Sequence, residues 1–551
     1  MEAQSLPTNI ISWKLVMRLL FIGLPNTGAQ HGKAGLFLPI GLAYVTAAIK
    51  SQERHEYDCI DLHTEQVMAG KHTDLWRILR RFDLASYDLV AFGGVWMVLE
   101  DLKYLSGRFR ERYPDIFQIA GGNMATTMSD TILDQMKLDC VCLYEGERTI
   151  VELTDAIEQG KDWRKTASIK FRDESGKIIG TPLRPKLEGD EMSLLPDRAS
   201  WNIKLLRKAF PVGSPGRYSA VAFASRGCPF NCTFCNPVSG KRIRARQVES
   251  IISEMKYLKE IWNVHYVRFF DEVFIGSKKT IRALCESMIE EKLDMFWFCQ
   301  TQVRLIDDDL LKLMRKAGCI VISFGIESGS AAILKEMKKN ITPELARRAI
   351  ESSHKAGIQV SASLLGGFPS ETRETLRETR DFIKSLNYID WFMVPTIGMV
   401  VPLPNTELFR TAMDMGLVGD TSTYMFEAIR HLEKLTGSVN LTKMSTEEYF
   451  ATVAEVNREI RKDYYRKYPG RYFKSLVGLD HLRLDLMFQN FSLRQCVPII
   501  EALAWAIVGK RIYGFQQKLK KLSPFNLFAP KETQAKVGGQ FGMAGRSPRD
   551  G

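Results

Sequence analysis

Short apolar runs alternate with helical stretches in two long series along this chain, and no other feature constrains its fold as tightly. In the first series the runs are 17–24, 57–62, 89–93, 116–121 and 141–144, with helices such as 39–51 and 99–113 between them. In the second they are 220–224, 266–270, 296–301, 320–325, 359–365 and 392–399, separated by helices near 248–261, 278–291, 308–317, 343–356 and 371–385. Apolar strands that follow one another through helices are buried on both faces, which requires parallel sheets covered by helices. The first series predicts a doubly wound sheet. Six β/α units in about 200 residues predict a partial or full barrel, with its chemistry at the C-terminal ends of the strands.

A polar stretch near 160–198, containing Asp173-Glu-Ser-Gly176, separates the two series and reads as a linker. The first 16 residues match no element. Past about 410 the strand signal fades and helical, basic and aromatic character takes over, and the last 20 residues, Gly-rich and without periodicity, predict disorder. The expected plan is an extension at 1–16, a sheet domain at 17–160, a linker at 161–205, a barrel at 206–410, a basic helical domain at 411–531 and a tail at 532–551. The 551 residues are 45% apolar and 25% charged, which excludes a mostly disordered, collagen-like or disulfide-scaffold chain. Ten cysteines are too few for a stapled secreted protein, and no basic stretch followed by an apolar one opens the chain, so the expected location is the cytoplasm.

The most specific motif is Ser225-Arg-Gly-Cys-Pro-Phe-Asn-Cys-Thr-Phe-Cys-Asn-Pro237, directly after the first barrel strand. Cys228, Cys232 and Cys235 at CxxxCxxC spacing can hold three irons of a [4Fe-4S] cluster and leave the fourth open to a ligand. Zinc is the alternative, but structural zinc sites take four ligands and the next His downstream is His265. Cys285, Cys299 and Cys319 lie on periodic apolar segments and read as core.

With Phe234 just before the last cysteine, the motif resembles that of the radical S-adenosylmethionine (SAM) superfamily, over roughly 215–410. The resemblance implies that the open iron binds the methionine moiety of SAM. Within Asp271-Glu272 it implies a contact of Glu272 to the methionine amino group, where a carboxylate suits a cation. It places Glu327, in Gly325-Ile-Glu-Ser-Gly-Ser330, at the ribose, Ser363 to Gly367 near the adenosine and Val394 to Val400 at the adenine. Arg304 is a candidate for the SAM carboxylate. The bland alternatives are that Asp271-Glu272 caps the next helix and that Arg304 is a surface charge.

The strand ends of the first series carry Asn26 and Thr27, Asp61-Leu-His63, Gly93-Gly94, Gly121-Gly122 and Glu145-Gly146. A doubly wound sheet binds its ligand at such ends, and Gly pairs let a large flat ligand approach the backbone. Ahead of a radical SAM barrel this order resembles the cobalamin-binding domain of B12-dependent radical SAM enzymes. The DxHxxG motif that supplies a cobalt ligand in methionine-synthase-like domains is absent, and Asn123 stands where relatives often carry His after the Gly pair. The lower face of the cobalt is then left to water or another side chain, with His31 and His63 as candidates and surface imidazoles as their default reading. A methylthiolating enzyme would need a second cluster on N-terminal cysteines, for which only Cys59, Cys140 and Cys142 are at hand.

The resemblance implies C-methylation of an unactivated carbon through a 5'-deoxyadenosyl radical and methylcobalamin, with an external electron donor of flavodoxin or ferredoxin type and a small-molecule or lipid-like substrate. Oxidative cyclisation or ring rearrangement with the same cofactors is the alternative. A radical SAM enzyme with a vestigial sheet is a further alternative, and a non-catalytic cobalamin or Fe–S sensor is the alternative of another class. Residues 456–531 hold 15 Lys or Arg against 5 Asp or Glu, most of the chain's net +12. They read as a solvated helical cap, as an interfacial membrane helix around 499–508, or as a nucleic-acid patch, which lacks any recognised fold; no nucleic acid is expected. Phe296-Trp-Phe298 and Trp391-Phe392-Met393 are either pocket lining or core.

Overall fold

The computed structural model describes residues 16–25, 38–69, 73–201, 219–434 and 439–476, all within one compact unit, Met1–Gln489. Strands β1 (Arg18–Gly23), β2 (Glu56–Asp61), β3 (Leu89–Gly93), β4 (Phe117–Gly121) and β5 (Cys140–Cys142) form a parallel sheet in the order β2-β1-β3-β4-β5. Leu19, Leu20, Phe21 and Ile22 are fully buried, because helices cover both faces; continuous apolar strands are the signature of that arrangement.

The stretch read as a linker departs from expectation. Residues 169–180 add two antiparallel strands to the sheet edge, β6 (Ile169–Arg172) and β7 (Ile178–Gly180). Ile169 and Phe171 point inward and are buried, while Lys170 and Arg172 alternate with them. Strands of four and three residues are too short for a visible period. The turn is built from Asp173, whose Oδ1 accepts from the amides of Ser175 (3.0 Å) and Lys177 (2.8 Å), and Gly176 at φ +83°. Asx turns of this kind favour Asp and Gly.

The second sheet runs β8 (Ser219–Ala222), β11 (Tyr266–Phe269), β12 (Phe296–Thr301), β13 (Cys319–Glu327), β14 (Gln359–Gly366) and β15 (Ile397–Met399), all parallel and in chain order. A two-stranded antiparallel ribbon, β9 (Ser225–Arg226) with β10 (Arg244–Ala245), stands after β8. Val267, Phe269, Trp297, Cys299, Ile322, Phe324, Val360, Ala362 and Leu364 face the helices and join one large core with Cys285 and Cys319. The opposite, inner face carries Gln300, Ser323, Ser361 and Ser363, and its floor is closed by Tyr266, Phe298, Ile320, Val321 and Phe392. The aromatic runs are therefore core: Trp297 and Trp391 are fully buried, and only Met393 stands out, 63% exposed.

Helices Glu407–Asp414, Thr421–Lys434, Thr446–Lys467 and Pro469–Leu476 follow the barrel. The 446–467 helix packs on Arg373–Ser385 and closes the open edge of β15: the Asn457 amide accepts from Ile397 N (2.8 Å) and donates to Ile397 O (3.0 Å), as a neighbouring strand would. Val456, Ile460 and Tyr464 are buried there, so the basic stretch up to 476 covers the barrel. Residues 477–551, including the 499–508 helix of the membrane reading and the expected tail, lie outside the described residues. Among the described residues no helix is long and apolar enough to cross a membrane.

Candidate functional site

The cysteine loop is pinched at its base by the β9–β10 ribbon. Gly227 sits at φ +98°, and a Cβ there would fall 2.2 Å from the Arg242 carbonyl, so only glycine opens the loop. Cys228 N donates to Gly240 O (3.0 Å) and Cys235 N to Cys232 O (3.2 Å). The loop is tied to the barrel by Thr233, whose amide donates to Met337 O (3.1 Å) and whose carbonyl accepts from Leu408 N (2.8 Å). Cys228 and Cys232 are half-buried and Cys235 is exposed. Phe234 meets Phe368, just beyond β14, edge to face at 5.9 Å.

The charges acting on the three thiols are those of one another, of Glu272, Glu327 and Lys339, and of Lys241 on Cys232. Burial pushes the Cys228 and Cys232 thiols up. Holding them as thiolates therefore calls for a metal's positive charge. Glu327 ends β13 in the left-handed region at φ +67°, next to a register shift against β14. Its Oε1 accepts from Lys339 Nζ at 2.8 Å, with both side chains about nine-tenths buried. Burial opposes the Lys339 charge, but Glu327 and Cys232 outweigh it and raise its pKa.

The two neighbouring acids after β11 divide their work. Asp271 is buried and accepts from Ala224 N (3.1 Å), Ser225 Oγ (2.6 Å) and Ser225 N, which ties the end of β8 to β11; burial pushes it up to about 7. Glu272 turns toward the cysteine loop, where Oε1 accepts weakly from Ser239 N (3.4 Å), and burial raises its pKa. Neither carboxylate caps a helix; Ser277 caps Lys278–Glu290. Oε2 of Glu272 and Oε2 of Glu327 are both buried with no hydrogen-bond partner. Two orphaned acceptors beside a three-thiol loop are the donor set that an ammonium group and hydroxyls would complete, so these residues fit a cluster-bound SAM.

Arg304 stands exposed after β12. Lys339, which the sequence reading did not single out, is the cation that the structure puts beside the thiols. Ser363 is exposed on the inner face, paired in register with Gly325.

At the C-terminal edge of the first sheet the glycines separate into two kinds. A Cβ on Gly93 would strike the Leu42 side chain at 2.6 Å and one on Gly94 would strike Val98 at 2.6 Å. These glycines make room for the protein's own packing. Gly121 has only Cys142 nearby, at 3.8 Å, and Gly122 takes φ +91° against the Gly94 carbonyl. Gly122 and Asn123 are exposed, so the open cradle lies over β4, where a flat group such as a corrin fits. Gly146 is covered by Val45 at 3.3 Å. Asn26, Thr27 and His31 lie outside the described residues, and His63 is half-buried on the helix Leu62–Ala69 after the edge strand β2.

Glu145 does something the sequence did not suggest. Its oxygens accept from Arg226 Nη1 (3.1 Å), Arg244 Nη2 (2.9 Å) and Leu187 N (2.9 Å), while Glu147 takes Arg226 Nη2 (2.7 Å). Burial alone would raise the Glu145 pKa, but Arg244 and Arg226 hold it below the usual carboxylate range. The edge of the first sheet is thereby clamped to the ribbon that carries the cysteine loop. Asn405, donating to Thr127 O at 3.1 Å, makes a second tie between sheet and barrel.

Comparison with known proteins agrees with this geometry. The Radical SAM superfamily pattern matches residues 223–383. An uncharacterized methyltransferase of Pyrococcus horikoshii is 30% identical over 407 residues, 73% of this chain and 84% of that one. The anaerobic magnesium-protoporphyrin IX monomethyl ester cyclase of Cereibacter sphaeroides is 30% identical over 448 residues, 77% and 69% of the two chains. The fold matches that of the radical SAM methyltransferase TsrM of Kitasatospora setae, solved with cobalamin and a [4Fe-4S] cluster bound, with a TM-score of 0.59 at 17% identity over 72% of this chain and 75% of that one. With its three-cysteine loop on a six-stranded barrel behind a doubly wound sheet, the chain belongs to the radical SAM superfamily and shares the fold of a member solved with cobalamin bound.

Proposed function

We propose that this enzyme methylates an unactivated carbon of a small-molecule substrate, using a [4Fe-4S] cluster, SAM and cobalamin. The observation that carries the reading is the loop of Cys228, Cys232 and Cys235 beside the orphaned oxygens of Glu272 and Glu327, clamped by Glu145 to the edge of a doubly wound sheet. When bound, the cluster and cobalamin supply one-electron cleavage of SAM and a methyl donor. The protein's part is to hold and orient.

Cys228, Cys232 and Cys235 hold three irons. Glu272 accepts from the methionine ammonium of SAM, and Glu327 Oε2 accepts from the ribose hydroxyls while Oε1 stays on Lys339. Lys339 faces the methionine carboxylate in preference to the exposed Arg304, because a largely desolvated cation binds an anion more strongly than a solvated one. Phe234 and Ser363 flank the same ligand. Gly121 and Gly122 receive the corrin, with Gly93, Gly94 and Gly146 setting the packing behind it. The inner barrel face between the two cofactors, with Gln300, Ser323, Ser361 and Ser363, is polar, which favours a substrate with hydrogen-bonding groups. An external low-potential electron donor completes the cycle.

Oxidative cyclisation is kept as the second reading because cyclases stand among the relatives at 30% identity. Incubating the full chain, loaded anaerobically with cluster and cobalamin, with a metabolite extract and SAM bearing a deuterated methyl group separates the two. A product carrying the labelled methyl supports methylation; a product two hydrogens lighter and unlabelled supports the cyclase.

A further inference from the structure

Tyr144, the residue that follows β5 and Leu143, is built in a way that packing does not require. It is a non-glycine residue at φ +65°, a conformation that costs about 1 kcal/mol or more for a side chain with a Cβ. It is held there by its own amide, which donates to Thr126 Oγ1 at 2.7 Å, from the short helix that begins just after the Gly121–Gly122 cradle. Lys186 Nζ sits over the ring at 3.4 Å from its centroid. The Lys186 side chain runs between this edge and the cysteine loop: its Cε would lie 3.8 Å from a Cβ on Gly240, and Nζ points to Val238 O at 3.5 Å. With one ring face covered by the ammonium, Tyr144 is still 38% exposed, and Val95, after the β3 glycines on the same edge, is 37% exposed. A strained backbone holding an aromatic ring with one face partly open beside an open glycine cradle is strain stored for a ligand.

We infer that Tyr144, braced from behind by Lys186, is the aromatic platform against which one edge of the corrin rests. The inference builds on the cobalamin reading given above. The Gly121–Gly122 cradle allows the flat macrocycle to approach the backbone, and the Tyr144 ring beside it supplies a large, partly exposed aromatic surface at that edge. The ammonium stiffens the ring in place by a cation–π contact. Tyr144 is thus a positioning residue for the cofactor.

The test is an absorbance titration of the cluster-loaded full chain with hydroxocobalamin, paired with the melting temperature of the cofactor-free protein. Tyr144→Gly is expected to weaken hydroxocobalamin binding about tenfold, the size of one aromatic stack, while the melting temperature holds or rises because glycine is at ease at positive φ. Tyr144→Phe should bind within about twofold of wild type, and Lys186→Met about threefold more weakly. If Tyr144→Gly binds hydroxocobalamin like wild type, or melts lower and binds unchanged, the ring is structural and the inference is overturned while the cobalamin reading stands. If wild type itself takes up no hydroxocobalamin, both fall together.

Discussion

Replacing Glu145 by Gln tests whether the two halves of the site are held by one clamp. Glu145 is 11% exposed and faces Arg226 and Arg244, 14% and 5% exposed, at 2.9 to 3.1 Å. Removing one partner of a buried ion pair costs about 3–5 kcal/mol, because the remaining charge is left uncompensated. Two features reduce that here. Glu147 keeps its 2.7 Å pair with Arg226, and Gln retains one oxygen to accept from the Leu187 amide. Arg244 therefore bears most of the loss, about 2–4 kcal/mol. The effect is local, so the readout is amide hydrogen exchange in the ribbon. The amides of Cys228, bonded to Gly240 O at 3.0 Å, and Arg246, bonded to Ala224 O at 2.9 Å, report the opening of the loop base. Their exchange should accelerate by roughly 30- to 1,000-fold, while amides of the 446–467 helix stay unchanged. The double variant with Arg244→Met should recover part of the loss, since the orphaned charge goes with it. Acceleration below about threefold in the single variant, a fraction of a kcal/mol, would refute the clamp. Because the arginines depress the Glu145 pKa, its contribution is present above the unfolded carboxylate value near 4.3 and is lost only as the pH falls through the lower folded value.

Gly227→Ala places a Cβ 2.2 Å from the Arg242 carbonyl at a positive φ, so backbone must move; the expected result is a reconstituted protein with reduced iron content and faster exchange at Cys228, measured side by side. Glu371 is 2% exposed and accepts from the Gly367 amide, with burial raising its pKa from 4.5 to about 7. A carboxyl whose folded pKa is raised is protonated preferentially in the native state, so its ionisation lowers stability as the pH climbs from about 4.5 to about 7; in Glu371→Gln the melting temperature should fall less between pH 5 and pH 7 than in wild type.

Legibility from the sequence followed the distance over which each signal acts. The cysteine triplet spans eight residues, and its spacing carries its chemistry unaided. The strand and helix series was readable because each element is buried along its whole length, as in Leu19 to Ile22. The β6–β7 hairpin was missed because three- and four-residue strands with Lys170 and Arg172 on the outer side leave no period to see. Pairings across the chain were also invisible: Glu145 meets Arg226 and Arg244, 81 and 99 residues away, and such a carboxylate in an EGE motif looks like a ligand contact. Lys339 is one of two adjacent lysines in Met337-Lys-Lys-Asn340 with nothing in the sequence to set it apart, and only the fold buries it against Glu327, whereas Arg304, in the more suggestive position after a barrel strand, proved to be exposed.

The central claim is that the Cys228, Cys232 and Cys235 loop holds a cluster that cleaves SAM. The most direct measurement is the yield of 5'-deoxyadenosine when the full chain, anaerobically loaded with iron and sulfide, is incubated with SAM and dithionite. Wild type should produce it, and Cys232→Ala, prepared in parallel, should lose both the iron–sulfur absorbance and the nucleoside. A wild-type protein that carries its full iron and sulfide yet forms no 5'-deoxyadenosine, or a Cys232→Ala variant that still forms it, would contradict the account.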